Sequence, residues 1–488
     1  MNYKMMGRFL GWIFAALTVF MIPPAILCLA DGDYADALAF LYTVLLSAAL
    51  TGTLFFLCRR AKQAFRAKEG LICVGLAWVA MSAVGALPFA LSGSIPSYVD
   101  ALFEIVSGFT TTGASVLSDV EALSRGILYW RSFSHWLGGM GVLVFLLAIV
   151  PVSGKNQGFT LHLMRAESPG PDVGKLVPRI RQTAAILYLT YIALTVLNFV
   201  FLLCGGMPVF DALCTAFGTA GTGGFGVKND SMAGYSPYLQ TVTTVFMLLF
   251  GVNFSCYYLL MLKRVGSVLR DEELRMYGVT VLLSTGAITV NLLSSSVFGS
   301  FGETLRHAAF QVSSLITTTG FATCDFDAWP TFSKSILLFL MLIGACAGST
   351  GGGFKCARIL LLLKGFWRNL CQVIRPQRVQ TVRVNDKSVD ERVLANTNAY
   401  LVVYLTILIV SFLGISLDPY AASIESAFTS VLACFNNIGP GFGAVGPTCN
   451  FGGFSVFSKL ILIFDMLAGR LEIFPMLVLF APRAWKRT

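Results

Sequence analysis

Charged residues are scarce in this chain. Asp, Glu, Lys and Arg supply 12% of its 488 residues, about half the share found in ordinary soluble domains, while hydrophobic residues reach 56%. Thirty-five basic and 25 acidic residues cannot coat the roughly two to four soluble domains that this length implies. A mean hydropathy of +0.74 assigns the surplus apolar surface to lipid, so a water-soluble enzyme is excluded. Histidine is rarer still, with only His135, His162 and His307, and the 12 cysteines contain no C-x-x-C pair. Neither a zinc site nor a disulfide framework is expected. A signal-peptide pattern is missing as well: MNYKMMGR leads into the uncharged run 9–30, too long for a signal core and without a small-residue cleavage site. That run reads as a retained transmembrane helix. The net charge of +10 does not imply nucleic acid, because cytoplasmic loops of membrane proteins collect Lys and Arg.

What the chain does have is long uncharged runs. Crossing about 30 Å of hydrocarbon takes about 20 helical residues, and such runs cover 9–30, 37–58, 71–99, 132–154, 182–210, 231–262, 276–302, 335–354 and 393–417. A tenth, near 455–482, is broken by Lys459, Asp465, Arg470 and Glu472. The links 59–70, 155–181, 263–275 and 355–392 are rich in Lys and Arg, and the alternate links carry more acid. This predicts ten spans with both termini cytoplasmic.

Four shorter, weakly polar stretches lie between later pairs of runs. They align as Asp100-ALFEIVSGFTTTGAS, Asp211-ALCTAFGTAGTGGFG, His307-AAFQVSSLITTTGFAT and Glu425-SAFTSVLACFNNIGPGFG. Each is too short to cross and ends in a glycine-bearing turn, so the repeat reads as helix, short re-entrant helix, turn, helix. Asp100 and Asp211 are the expected N-caps. Backbone of this kind is prohibitive against lipid and must line water or be enclosed by protein. Four short helices aiming their C-terminal ends at the bilayer centre favour a cation there. Glycines allow carbonyls to face the axis and replace an ion's water shell. No turn contains Asp or Glu, which points to a monovalent rather than a divalent ion. Packing by small residues explains one such motif but gives no reason for four to end alike.

At these residues the sequence resembles the Trk/Ktr/HKT superfamily of potassium transporters, specifically its TrkH-like membrane subunits. TTTGAS at 110–115, GGFG at 223–226, TTTGFAT at 317–323 and NNIGPG at 436–441 stand at the family's four filter positions. The resemblance implies an all-α integral membrane protein of ten transmembrane helices, two N-terminal and four helix–pore-loop–helix repeats around one pseudo-fourfold pore. The corresponding segments are 1–68, 69–154, 155–264, 265–370 and 371–488. Potassium would be held by Thr111, Thr112 and Gly113, by Gly223 and Gly224, by Thr318, Thr319 and Gly320, and by Asn437, Ile438 and Gly439. The turns depart from TVGYG and from one another, which implies modest selectivity over sodium.

The second helix of repeat three is interrupted by Gly344-ACAGSTGGG-Phe354, ten residues without a large side chain ahead of the phenylalanine. The segment mimics a nucleotide P-loop, but Phe354 stands where that motif needs Lys, and the reading is rejected. Packing accounts for Gly344 and Gly348, and a membrane boundary for Lys355, but the run Gly351, Gly352 and Gly353 is left over. The functional reading is an intramembrane gating loop of Gly348, Ser349, Thr350, Gly351, Gly352 and Gly353 with Lys355, and the resemblance supports it. Arg470, within LIFDMLAGRLEIFP, needs water or a partner at its depth. Asp465 and Glu472 are five back and two ahead, off its helix face. Either another helix supplies the partner, or Arg470 projects below the filter, opposes idle cation leak and contacts the glycine loop. Glu104 and His135 invite a proton-coupling role, but lone polar residues on supporting helices more often make local hydrogen bonds. Neither is assigned.

Residues 356–396 carry eight basic residues and no nucleotide-binding pattern. Composition supports topogenic charge and attraction to anionic lipid. The resemblance implies a docking face for a TrkA-like cytoplasmic subunit that binds NADH or ATP, a homodimeric assembly and a bacterial inner-membrane location, with no cofactor in this chain itself. The alternative is a carrier of small organic solutes, which also uses broken helices but in two inverted halves. A membrane enzyme lacks any convergent catalytic set.

Overall fold

The computed structural model describes residues 1–60, 67–139, 141, 180–377 and 380–485. Helix dominates, and the strand content among the described residues is one hairpin, Arg383–Val384 against Lys387–Ser388. Six helices there are long and apolar enough to cross a membrane: Tyr3–Asp31, Tyr34–Leu57, Lys68–Leu91, Ala185–Cys204, Glu272–Ser294 and Glu391–Ile415. Their outward faces expose large apolar side chains, with Phe56 at 71%, Leu282 at 73% and Val410 at 64%, which only a lipid environment accommodates in such number.

The N-terminal run is one span, Tyr3–Asp31, with a one-residue turn at Met21, where Pro23 and Pro24 suit the first turn of Ile22–Asp31. The four short helices are Tyr98–Phe109, Val209–Gly221, Phe301–Ile316 and Ile424–Phe435. They are enclosed almost all round, so their polar residues face protein rather than lipid.

Their caps differ from the expected ones. Ser97, Ser300 and Ser423 accept hydrogen bonds from the third residue beyond, at 3.4, 3.2 and 3.1 Å, and Pro208 precedes the second short helix. Asp100 and Asp211 sit one turn in, because a serine or proline already occupies the entry. There their carboxylates still favour the positive helix end. Asp100 accepts from Lys459 of the fourth repeat at 2.6 Å, and Asp211 from the Tyr235 hydroxyl at 2.9 Å.

The helices that follow the second, third and fourth short ones are each interrupted. Arg125–Gly139 is followed by Gly141 at φ 75°, and the rest of the expected run 132–154 and the basic link after it, to residue 179, lie outside the described residues. Pro237–Phe250 and Phe254–Met261 meet at 88°. Thr331–Ile343 and Cys356–Ile374 flank the glycine-rich loop, and Val456–Arg470 and Phe474–Phe480 flank Leu471–Ile473.

Candidate functional site

All four short helices end in the same way. In three of them the residue after the C-cap is left-handed, with φ of 56°, 59° and 55° at Thr111, Thr318 and Asn437, and in the second the C-cap itself, Thr222, matches them at 55°. The next N–H turns back to the helix, from Thr112 to Ser107 O, Gly223 to Gly218 O, Thr319 to Ser314 O and Ile438 to Ala433 O, at 2.8, 2.9, 2.8 and 2.8 Å. This is a Schellman-type cap, normally made by glycine. Here a Thr takes the place in three of four copies, a strain of about 1–3 kcal/mol each that the surrounding bonds hold. Two residues beyond, Gly113, Gly224, Gly320 and Gly439 are again at positive φ, from 77° to 98°.

The four turns close into a ring. A Cβ built on Gly113 would land on the carbonyl oxygen of Gly223, one on Gly224 on that of Thr319, and one on Gly320 on that of Ile438. One on Gly439 would come within 2.8 Å of the oxygen of Thr112. Each repeat therefore meets the next, and the fourth returns to the first. Four backbone carbonyls, four helix C-termini and no carboxylate make a site whose chemistry matches a dehydrated monovalent cation. A cavity of about 220 Å³ opens on the ring, lined by all four glycines and by Arg131.

Below the ring lies the glycine-rich loop. Gly344, Gly348, Gly353 and Lys355 adopt φ of 74°, 70°, 79° and 76°, so the segment is no helix and no helical packing face. Neighbouring segments hold its backbone. Cys346 N donates to Gly251 O at 3.1 Å, Gly348 O accepts from Phe254 N at 3.0 Å, and Gly352 N donates to Thr318 Oγ1 at 2.7 Å. These bonds let irregular chain persist at membrane depth. Thr350 and Lys355 are buried, while Ser349 and Gly353 keep partial exposure. Gly351 and Gly352 are packed against Thr317 O and Asn436 O at the ends of two short helices.

Arg470 joins this loop to the first repeat. Its guanidinium donates to Thr350 O at 2.8 Å, to Gly139 O at 2.6 Å and to Gly138 O. The last two are terminal carbonyls of Arg125–Gly139, a helix end that favours a cation. Glu472 serves another residue, Arg358, whose guanidinium also covers the Tyr400 ring at 4.0 Å. Lys355 lies within electrostatic reach of Glu472 and Arg470.

Glu104 and His135 lie behind the ring. Glu104 pairs with Arg131 at 2.6 Å, and His135 bridges Gly108 O and Phe225 N. Sequence reasoning missed Thr222, though its place one residue before GGFG corresponds to Thr111 and Thr318. It also missed the breaks at 251–253 and 471–473. Gly251 and Asn253, which caps Phe254–Met261 through a bond from Ser255 N at 2.9 Å, signalled the first of these. Cys324 and Cys449, whose state the sequence left open, are free thiols.

Fold and site together define a class: a predominantly helical, multi-pass membrane transporter. The chain belongs to the TrkH family of cation transport proteins, whose family model matches residues 37–487. That is a transporter family and not an enzyme class. The chain is 38% identical to the Trk system potassium uptake protein TrkH of Salmonella typhimurium, over the full length of both. It is 32% identical to the Trk system potassium uptake protein TrkG of Escherichia coli, over 99% of this chain and 98% of that one. The crystal structure of the potassium transporter TrkH from Vibrio parahaemolyticus superposes with a TM-score of 0.87 at 34% identity, covering both chains completely.

Proposed function

We propose that this chain takes up potassium across the bacterial inner membrane through a single-chain, cation-selective gated pore. The relatives named above as potassium uptake proteins support the substrate. The observation that carries the pore is the closed order in which each turn's glycine faces the next turn's carbonyl, from Gly113 round to Thr112. Potassium is held by the backbone of Thr111, Thr112, Gly113, Gly223, Gly224, Thr318, Thr319, Gly320, Asn437, Ile438 and Gly439, to which we add Thr222. Because the carbonyls are neutral and fixed by caps, they compensate the lost water shell without binding the ion too tightly to leave.

The gate is the loop Gly348–Gly353 with Lys355 and Arg470. In the resting state the Arg470 charge faces the pathway and holds Thr350 under the ring. Opening requires the loop to leave Thr318 and Arg470 together. A TrkA-like nucleotide-binding subunit, docked on the basic cytoplasmic face of a homodimer, drives that step with NADH or ATP. The segments 1–68, 69–154, 155–264, 265–370 and 371–488 are the units of this pore, with both termini cytoplasmic.

The test is growth of a bacterial strain lacking its own potassium uptake systems at limiting potassium, with this chain expressed beside a TrkA-like partner. Restored growth that sodium does not substitute is expected. Correctly inserted protein that restores nothing overturns the reading.

A further inference from the structure

The mechanism above leaves unused a buried ion pair beside the ring. Glu104, on the first short helix, and Arg131, on the helix after it, are 0% and 4% exposed at their side chains and meet at 2.6 Å. The carboxylate also accepts from Ser115 Oγ at 3.0 Å and from Val116 N at 2.9 Å, two and three residues beyond Gly113. Arg131 Nη1 donates to Gly226 O at 3.0 Å, two residues beyond Gly224, and the guanidinium lies 3.6 Å from the centre of the Phe225 ring. Phe225 N donates to His135 Nε2 at 3.2 Å, and His135 Nδ1 faces Gly108 O at 2.8 Å. A neutral imidazole satisfies both if Nδ1 carries the proton. The segments leaving filters one and two are thus tied by a single network anchored on one short helix.

Among the described residues no other repeat has a carboxylate at this place, and the charged contacts at the other two seams, Lys334 with Asp327 and Glu425 and Lys459 with Asp100, are more exposed. Nine residues before Gly224, Gly320 and Gly439, where Glu104 stands relative to Gly113, are Thr215, Gln311 and Ser430. The seam between repeats two and three is closed by uncharged bonds, Met232 N to Ala322 O at 2.9 Å and Ala322 N to Ser231 Oγ at 3.2 Å. Arg131 also lines the cavity that opens on the ring.

We propose that Glu104 and Arg131 are positioning residues for ion selectivity, setting the separation of filters one and two where Gly113 meets the Gly223 carbonyl. The inference rests on the pore reading. A ring distinguishes potassium from sodium by how far its carbonyls can follow a smaller ion, so the stiffest corner sets the limit. A buried charge pair that shares acceptors and donors with both exit segments stiffens this corner more than neutral bonds or the more exposed pairs elsewhere do. Because each partner neutralises the other, neither places a net charge at the mouth.

The experiment is reconstitution of the full-length protein in liposomes, with the potassium-to-sodium flux ratio measured under an imposed diffusion potential. Glu104→Gln, Arg131→Met, the double variant and Glu104→Asp are compared with the wild type after each is checked for monodisperse elution. The single variants should lower the ratio by about threefold or more while rubidium still passes. The double variant, which leaves no lone buried charge, should recover folding lost by Arg131→Met yet keep the lowered ratio. Glu104→Asp keeps both charges but shortens the reach, and should lower the ratio as well. A wild-type ratio in the folded double variant or in Glu104→Asp overturns the proposal, as does a set in which no folded variant changes the ratio. Absence of selective flux in the wild type would instead overturn the pore reading.

Discussion

Arg470 and Thr350 are bonded across two repeats: a guanidinium at the end of Val456–Arg470 donates at 2.8 Å to a carbonyl in the middle of the glycine-rich loop. The positive charge and the glycine-rich loop are therefore one unit. A bare cation passing within about 8 Å of that charge is opposed by about 2 kcal/mol at an effective dielectric of 20. Arg470→Ala removes the repulsion and releases Thr350 at once. Basal rubidium uptake into liposomes without any partner should rise by roughly tenfold or more. Unchanged uptake by well-folded Arg470→Ala protein would contradict the gating role.

The four ring glycines have no room for a methyl group. At Gly113, Gly224 and Gly320 the added carbon meets the next repeat's carbonyl head-on, and at Gly439 it stays 2.8 Å away. Overpacking of this kind costs about 1–3 kcal/mol, on top of the strain of a positive φ. Alanine at any of the first three should abolish potassium-limited growth, and Gly439→Ala should be the mildest. Growth curves at graded potassium, with membrane levels matched, check the ranking.

Thr318 holds the loop to the ring through its hydroxyl, which accepts from Gly352 N at 2.7 Å. Thr318→Ala leaves that N–H buried and unpaired, a loss of about 1–3 kcal/mol. Amide exchange in residues 344–355 should quicken in Thr318→Ala and stay near the wild-type rate in Thr318→Ser, which keeps the hydroxyl. Equal exchange in the two variants would detach the loop from the ring.

Asp418, in the turn after Glu391–Ile415, fastens the start of the helix that ends in Arg470. Burial alone would raise its pKa, but bonds from Ser458 Oγ at 2.6 Å and Ser455 N at 2.8 Å outweigh it and bring the carboxyl down to about 2. A folded value below the unfolded one of about 4 means that the stabilisation is present above pH 4 and is lost as pH falls through 2. Asp418→Asn should melt earlier than the wild type at neutral pH, with the two curves converging toward pH 2. A gap independent of pH would assign the difference to another cause.

Much of this was legible in the sequence because lipid imposes a simple code. Uncharged runs of 20 or more residues sufficed for the helical membrane class, and four aligned turns that packing alone does not require pick out Gly113, Gly224, Gly320 and Gly439, which the fold brings together. The glycine-rich run at 344–353 announced a break, since no large side chain remains there to support a helix. The break at Leu471–Ile473 did not announce itself. Glu472 and Ile473 take φ of 57° and 65°, positions that such residues avoid, and the Arg358 bond to Glu472 comes from a helix more than 100 residues away. Partners were hidden for the same reason. Local spacing rightly excluded Asp465 and Glu472 for Arg470, but could not show that its acceptors are helix-end and loop carbonyls, which carry no sequence signature. The caps misled because Asp and Ser serve equally at an N-terminus, and only the position of the first turn separates them.

The central claim is that one chain forms a potassium-selective path. Its most direct test is cation flux into liposomes holding the purified protein alone, comparing potassium, rubidium, sodium and lithium under an imposed diffusion potential. The account predicts electrogenic uptake that favours potassium and rubidium. No movement of any cation, even with the nucleotide-binding partner and ATP present, together with exchange of a small organic solute, would identify a carrier and contradict it.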